Sequence, residues 1–164
     1  MSKPVFSVCF SAIRNNLYKP FYDSLSKNTT VPFEVIFVGD NPPTEPMPDN
    51  FKYIYSKVKP AQCTEIAVRA ATGDFILPFS DDEVFSHNFL NRLHNYVNRL
   101  DTSKVFITFR YAFQDKLNDE QLVFDPDIKT STVLGVAGCF RRDIWNELGG
   151  LDNRWIACYS DMDM

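Results

Sequence analysis

Three short apolar runs, Val5–Phe10, Phe33–Val38 and Phe75–Phe79, constrain this chain more than any other feature. Each is apolar at nearly every position instead of alternating, and each is too short for a buried helix, so the pattern is that of strands covered on both faces. Each also breaks abruptly into polar residues. The first runs into Ser11-Ala12-Ile13-Arg14-Asn15-Asn16, the second into Gly39-Asp40-Asn41-Pro42-Pro43, and the third into Ser80-Asp81-Asp82-Glu83. Segments of helical spacing separate the runs. The spacing predicts a helix over 17–27 with Pro20 near its start, a second over 60–71 opened by Pro60, and a third beginning near Ser86. Strand, helix and strand in alternation imply an α/β domain with a mostly parallel sheet and helices on its faces.

Further elements follow the same logic. Phe51–Tyr55 and Val105–Phe109 read as strands, while residues 110–127 read as an irregular excursion with at most a short strand at 121–124. The apolar run 133–140, punctuated by Gly135 and Gly138, suggests a strand that another group approaches closely. A short helix over 141–148 turns Ile144, Trp145 and Leu148 inward and stops at Gly149-Gly150. A second acidic cluster, Ser160-Asp161-Met162-Asp163, lies near residue 164.

The length of 164 residues suits one domain with a real core and is too short for two. Fifteen Phe and seven Tyr in a chain that is 45% hydrophobic put it well outside disordered compositions. A net charge of -4 without a basic run argues against a partner that is duplex nucleic acid, whose binding needs phosphate neutralisation. Cys9, Cys63, Cys139 and Cys158 are widely spaced and form no CxxC, as expected of reduced, buried thiols in a cytoplasmic protein. No run reaches the ~18 apolar residues of a membrane span, and the first residues are too short in apolar length for a signal peptide.

Three adjacent acids where a strand leaves a sheet repel one another unless a cation or a hydrogen-bonding group compensates. Two readings of Asp81, Asp82 and Glu83 follow. They hold a divalent metal that carries a phosphate, or they are a solvated cap ahead of the helix near Ser86, where acids favour the helix dipole. His87 is close to the acids in sequence and is the better ligand candidate of the two histidines; His94 falls near the apolar edge of its helix and reads as structural. Glu65 and Arg69, four apart on a helix, read as an exposed ion pair. Because ligands of open α/β sheets bind at the carboxyl ends of the strands, the loop 11–16, the turn at Asp40 and the acids at 81–82 can share one rim.

The order of these features resembles the GT-A fold glycosyltransferases of the family-2 type, nucleotide-diphospho-sugar transferases, over nearly the whole chain. The residues that carry the resemblance are SVCFSAIRN, the Asp40 that ends FVGD, the turn Ala71-Thr72-Gly73-Asp74, the acids of SDDE, and Arg141-Arg142-Asp143-Ile144-Trp145 leading through Gly149-Gly150-Leu151-Asp152-Asn153-Arg154 to YSDMDM. The resemblance implies a Rossmann-like three-layer sandwich. It also implies an inverting, metal-dependent transfer of a sugar from a nucleotide diphosphate to a hydroxyl of a glycan, lipid or protein acceptor, with Mn2+ or Mg2+ as cofactor. Donor binding falls to Ser11, Ile13, Asp40 and Asp81, the metal to Asp82, and the catalytic base to Asp161 with Asp163 beside it. Departures from the family pattern are Ser80 at the first position of the DxD motif, Ser160 at the Glu of the distal motif, Ile13 where an aromatic is usual, and Thr64-Glu65 for an Arg-Asn pair. The chain stops at the distal motif, so the resemblance implies either a minimal protein without the C-terminal acceptor part or the N-terminal domain of a longer one. A non-catalytic domain that binds sugar nucleotides or a protein partner is the alternative. With neither GxxxxGK[ST] nor GxGxxG, phosphate cradling by a Gly-rich loop is unsupported.

Overall fold

The structure, a computed structural model, describes residues 2–103, 105–113, 122–125 and 138–151. Strand β1 (Phe6–Ser11) leads through a 3-10 turn at Asn15–Leu17 into helix α1 (Tyr18–Ser26), and β2 (Phe33–Gly39) and β3 (Phe51–Tyr55) follow. Helix α2 (Pro60–Ala70), β4 (Phe75–Leu77), β5 (Val84–Phe85) and α3 (Phe89–Val97) continue the chain. Then come β6 (Ile107–Thr108), β7 (Arg110–Phe113), β8 (Leu122–Asp125), β9 (Gly138–Arg141) and α4 (Arg142–Leu148).

Six of the strands form one sheet in the order β3-β2-β1-β4-β9-β6. The first four are mutually parallel; β9 runs antiparallel to both β4 and β6. The strand order therefore grows outward from β1 in both directions, which makes the crevice between β1 and β4 the topological switch point. The two-sided burial expected from the unbroken apolar runs is realised by alternation. Phe6 and Val8 of β1, with Val35 and Phe37 of β2, pack against Tyr18, Phe21 and Leu25 of α1 and Leu90 and Leu93 of α3. Cys9, Ile36 and Val38 face the other way, onto Cys63, Ala67 and Val68 of α2 and Trp145 of α4. The helices lie on both faces, as the sequence predicts.

The structure corrects the excursion over 110–127. It contains two strands, β7 and β8, paired antiparallel, and β8 is joined by β5 into a second, three-stranded sheet. These strands have at most four residues each, too few to show a period in the sequence. Most of the run 133–140 lies outside the described residues, and its described end forms β9, with Gly138 in close contact with Phe106. The strand β4 stops at Leu77, earlier than its apolar run, because Pro78 has no N–H to give to a ladder. Phe79 nevertheless remains fully buried, stacked on Phe109 at 5.4 Å and edge-on to Phe85 and Phe89. This aromatic block is the floor beneath residues 80–83.

At the opposite end of the strands, Glu34 ties the sheet to the Ala71-Thr72-Gly73-Asp74 turn. Its Oε1 accepts from the Ser7 hydroxyl and from both the backbone N–H and the hydroxyl of Thr72, each at 2.7 Å, and Oε2 pairs with Lys52 at 2.7 Å. Burial by itself would raise the Glu34 pKa, but these hydrogen bonds outweigh it and hold the carboxyl below its usual range. The Ser7 hydroxyl in turn accepts from the Gly73 N–H at 2.8 Å. A Cβ at Gly73 would lie 2.6 Å from that hydroxyl oxygen, so the turn can seat only with glycine there.

Candidate active site at the switch-point crevice

The loops after β1, β2 and β4 meet at the carboxyl end of the parallel strands. The tightest crossing is between the first two. Ala12 N–H donates to the Val38 carbonyl at 2.9 Å, and a Cβ on Gly39 would sit only 1.9 Å from the Ala12 carbonyl oxygen, so this approach depends on glycine. Asn41 Nδ2 donates to the Ile13 carbonyl at 2.8 Å, Asn15 Nδ2 to the Pro42 carbonyl, and the Tyr18 hydroxyl to the Asn41 carbonyl. Backbone at 12–16 is thereby fixed against backbone at 38–42.

Across the crevice, Asp81 is buried to 1% exposure and spends both of its oxygens on the β1 loop. Oδ2 accepts the backbone N–H groups of Ile13 and Arg14, each at 2.8 Å. Oδ1 accepts Arg14 Nε at 2.6 Å and pairs with Arg14 Nη2 at 2.5 Å. The same guanidinium reaches Asp82 Oδ2 from Nη1 at 2.8 Å and the Ser80 hydroxyl from Nη2 at 3.0 Å. Arg14 is thus the cation that compensates the adjacent acids, supplied by the chain itself.

The helix-cap reading of these acids is overturned. They precede β5, α3 begins only at Phe89 after Asn88 in a left-handed conformation, and its first turn carries no acid. Glu83 has a different environment from its neighbours. It is nearly fully buried, its N–H donates to the Ser80 carbonyl, and its Oε2 has no hydrogen-bond partner. Burial, reinforced by the charges of Asp82 and Asp81, pushes its pKa well above the usual carboxylate value.

The sequence-predicted residues separate clearly. Ser11 ends β1, and burial raises the Cys63 thiol pKa while a hydrogen bond with Ser11 lowers it in part. Ile13 has both backbone groups engaged and its side chain 57% exposed at the rim, and Asp40 is exposed on the far side of β1. Asp81 and Asp82 come together with Arg14. Asp161, Asp163, Ser160 and Cys158 lie outside the described residues. His87 is turned away: its Nδ1 is 3.0 Å from Asn28 Nδ2, at the end of α1. His94 sits edge-on to Phe6 and beside Asn98 Nδ2, a structural place as expected. Glu65 and Arg69 pair at 2.6 Å, but Glu65 also accepts from Trp145 Nε1 and Leu151 N–H, so it anchors α4 and is not merely a surface charge. The three cysteines among the described residues are free and buried.

Arg14 and Asn41 are the residues that sequence reasoning missed. The available signal was charge arithmetic: three consecutive acids needed a partner, and Arg14 is the one cation in the three rim loops 11–16, 39–43 and 80–83. Among the described residues, no group of three or more His, Cys, Asp or Glu side chains could hold a metal ion. Asp81 has no free oxygen, Ser80 accepts from Arg14, and Glu83 is buried. Of the three acids at 81–83, Asp82, with its side chain 40% exposed, is the one open to an ion. The described residues form no preformed cage, and one open carboxylate fits the way a Mg2+- or Mn2+-like ion binds, with one or two carboxylates together with substrate phosphates and water. No helix among the described residues is long and apolar enough to cross a membrane.

Comparisons with known proteins agree with this layout. S. aureus TarS 1-349 in complex with UDP superposes with a TM-score of 0.67 at 15% identity, covering 96% of this chain and 53% of that one. The mannosyltransferase PcManGT from Pyrobaculum calidifontis, in complex with GDP-Man and Mn2+, gives 0.60 at 16% identity, covering 93% of this chain and 48% of that one. The chain thus spans about half the length of these proteins, and at such identity they establish the fold alone, which is GT-A. No curated protein matches the sequence. The profile of glycosyl transferase family 2 matches residues 14–134, about three quarters of the chain, and the chain therefore belongs to that family.

Proposed function

We propose that this domain binds a nucleotide-diphosphate sugar across the β1/β4 crevice and passes its sugar, with inversion, to an acceptor hydroxyl. The observation that carries this reading is the buried Asp81 clamp, which fixes the β1 loop over the open carboxylate of Asp82 at the switch point. In this proposal Ser11, Ile13 and Asp40 line the nucleoside side, the exposed Ile13 side chain offering an apolar surface to the base. Asp82 would hold a divalent ion, and Asp81 shapes the loop beside it. A bound Mn2+ or Mg2+ would offset the negative charge that develops on the departing diphosphate. Asp161 takes the proton of the acceptor hydroxyl as general base, with Asp163 beside it.

PcManGT carries GDP-Man and Mn2+, and TarS carries UDP, which supports a nucleotide sugar as the donor class and a divalent ion as cofactor. In this reading residues 1–164 act as one nucleotide-sugar-binding domain. The free, buried thiols Cys9, Cys63 and Cys139 support a cytoplasmic location.

A thermal-shift screen of UDP-, GDP-, dTDP- and CMP-linked sugars with and without Mn2+ tests the reading. One donor raising Tm only with the ion, and losing that effect in Asp82→Ala, supports it. Turnover of that donor lowered in Asp161→Asn with donor binding retained supports the base role; wild-type turnover removes Asp161 from it. Binding without any turnover, by the chain in its full natural length, favours the non-catalytic reading instead.

A further inference from the structure

The arrangement around Arg14 is asymmetric. Toward Asp81 the arginine is anchored: two backbone N–H groups and two guanidinium nitrogens of the same loop converge on a carboxylate that is 1% exposed, at 2.5–2.8 Å. Toward Asp82 it makes one contact, Nη1 to Oδ2 at 2.8 Å, between side chains 44% and 40% exposed. Buried, multiply bonded pairs are costly to break, whereas exposed single pairs contribute little.

Charge counting gives this asymmetry a direction. Arg14 with Asp81 and Asp82 carries a net negative charge, and a nucleotide diphosphate approaching that group is repelled. Glu83, buried directly behind with Oε2 unpartnered, adds no cation. A divalent ion on Asp82 reverses the sign of the cluster, and Arg14 on Oδ2 competes with it for that carboxylate. Both requirements are met if the arginine changes partner at one end and stays fixed at the other.

We propose that Arg14 is an exchangeable internal counter-cation. It holds Asp82 before the donor binds, gives Asp82 up to the divalent ion that arrives with the diphosphate, and offers the freed Nη1 N–H, held in place by Nε and Nη2 on Asp81, to a diphosphate oxygen. This deepens the proposed function and rests on it for the identity of the ligand. Its consequence is ordered binding: the ion alone is a poor ligand of the free chain, and the ion and nucleotide bind together.

The test uses Mn2+ alone and then UDP and GDP as probes. Free Mn2+ is followed by its electron paramagnetic resonance signal during titration of nucleotide-free wild type, Arg14→Gln, Arg14→Lys and Asp82→Asn, each checked by thermal melting. Removing an exposed competing ion pair should tighten Mn2+ binding about fivefold in Arg14→Gln, and Asp82→Asn should abolish it. Arg14→Lys, which keeps the charge but cannot fork between two acids, should fall on the Arg14→Gln side of wild type. Calorimetry with the nucleotide in saturating Mn2+ should show the opposite effect, a loss of about tenfold in Arg14→Gln for one charge-assisted hydrogen bond. Unchanged or weaker Mn2+ binding in both Arg14 variants overturns the exchange, as does unchanged nucleotide affinity in Arg14→Gln. If wild type binds no nucleotide at all, the proposed function fails, while the Mn2+ arm alone still decides whether Arg14 and the ion compete for Asp82.

Discussion

Replacing Asp81 by Asn keeps the volume of the side chain and one acceptor oxygen while removing its charge, and the contacts around it allow the result to be worked out. The retained amide oxygen can still accept from the N–H groups of Ile13 and Arg14, each now 2.8 Å from Oδ2. The other half of the group becomes an NH2 that faces Arg14 Nε and Nη2, donors now 2.6 and 2.5 Å from Oδ1. A charge-assisted hydrogen bond from Nε and the ion-pair contact of Nη2 are lost, together about 3–6 kcal/mol at face value if each counts as one bond to a charged group. Arg14 is 44% exposed and keeps Asp82, so water and the second acid recover much of that, leaving about 2 kcal/mol. For a domain of this size, that corresponds to a fall in Tm of about 4–8 °C. Urea unfolding and thermal melting at fixed pH and ~0.15 M salt measure it, with the salt set at physiological screening. A double-mutant cycle with Arg14→Gln isolates the pair, and its coupling should exceed about 1 kcal/mol because the groups touch. A loss below about 0.5 kcal/mol, the level of an ordinary surface substitution, refutes the role of Asp81 as the buried anchor of the rim.

Gly39→Ala should destabilise by about 1–3 kcal/mol, as overpacking does, and should reduce nucleotide binding in parallel, because the new Cβ displaces the Ala12 carbonyl. Wild-type stability in a urea melt contradicts the close approach. Glu34→Gln should cost about 1–3 kcal/mol at neutral pH through the lost Lys52 pair and a misfit at Ser7 and Thr72. Since the folded-state pKa of Glu34 is lowered, its contribution is present above the ordinary carboxylate pKa and is lost as pH falls through the lowered value. The gap between wild type and variant should therefore close in acid, and a pH-independent gap counts against the network. Glu83→Gln has the opposite sign. The raised folded-state pKa means that stability falls as pH rises from the ordinary carboxylate value through the raised one. The variant should then be the more stable protein at pH 8, with the advantage vanishing toward pH 4; equal urea midpoints at pH 8 argue against a charged-form penalty at this site.

The candidate site was legible in the sequence to the extent that its groups follow strands. FVGD and SDDE announce themselves because a buried run cannot continue into charge, while the close approaches that require Gly39 and Gly73 show only in the structure. The roles inside SDDE were not legible. Asp81, Asp82 and Glu83 are chemically near-identical neighbours, yet one is buried and fully bonded, one is half-exposed and open, and one is buried with an oxygen unpartnered. Their differences come from Ile13 and Arg14, some 68 and 67 residues away in sequence. The short strands β5, β7 and β8 were hidden for another reason: two to four residues cannot display a period, and pairing across long separations supplies their stability.

By itself the sequence determined the alternation of strands and helices, the two-sided burial of the sheet, and the end of the sheet at which polar groups gather. These depend on local hydrophobic period and on turn residues, which are properties of contiguous chain. Tertiary structure alone decided that the compensating cation of the acid cluster is Arg14, that Glu65 anchors a helix instead of decorating one, and that His87 points to Asn28 instead of the acids. Each of those outcomes is a pairing between distant segments, fixed by which loops the strand order brings together at the β1/β4 crevice.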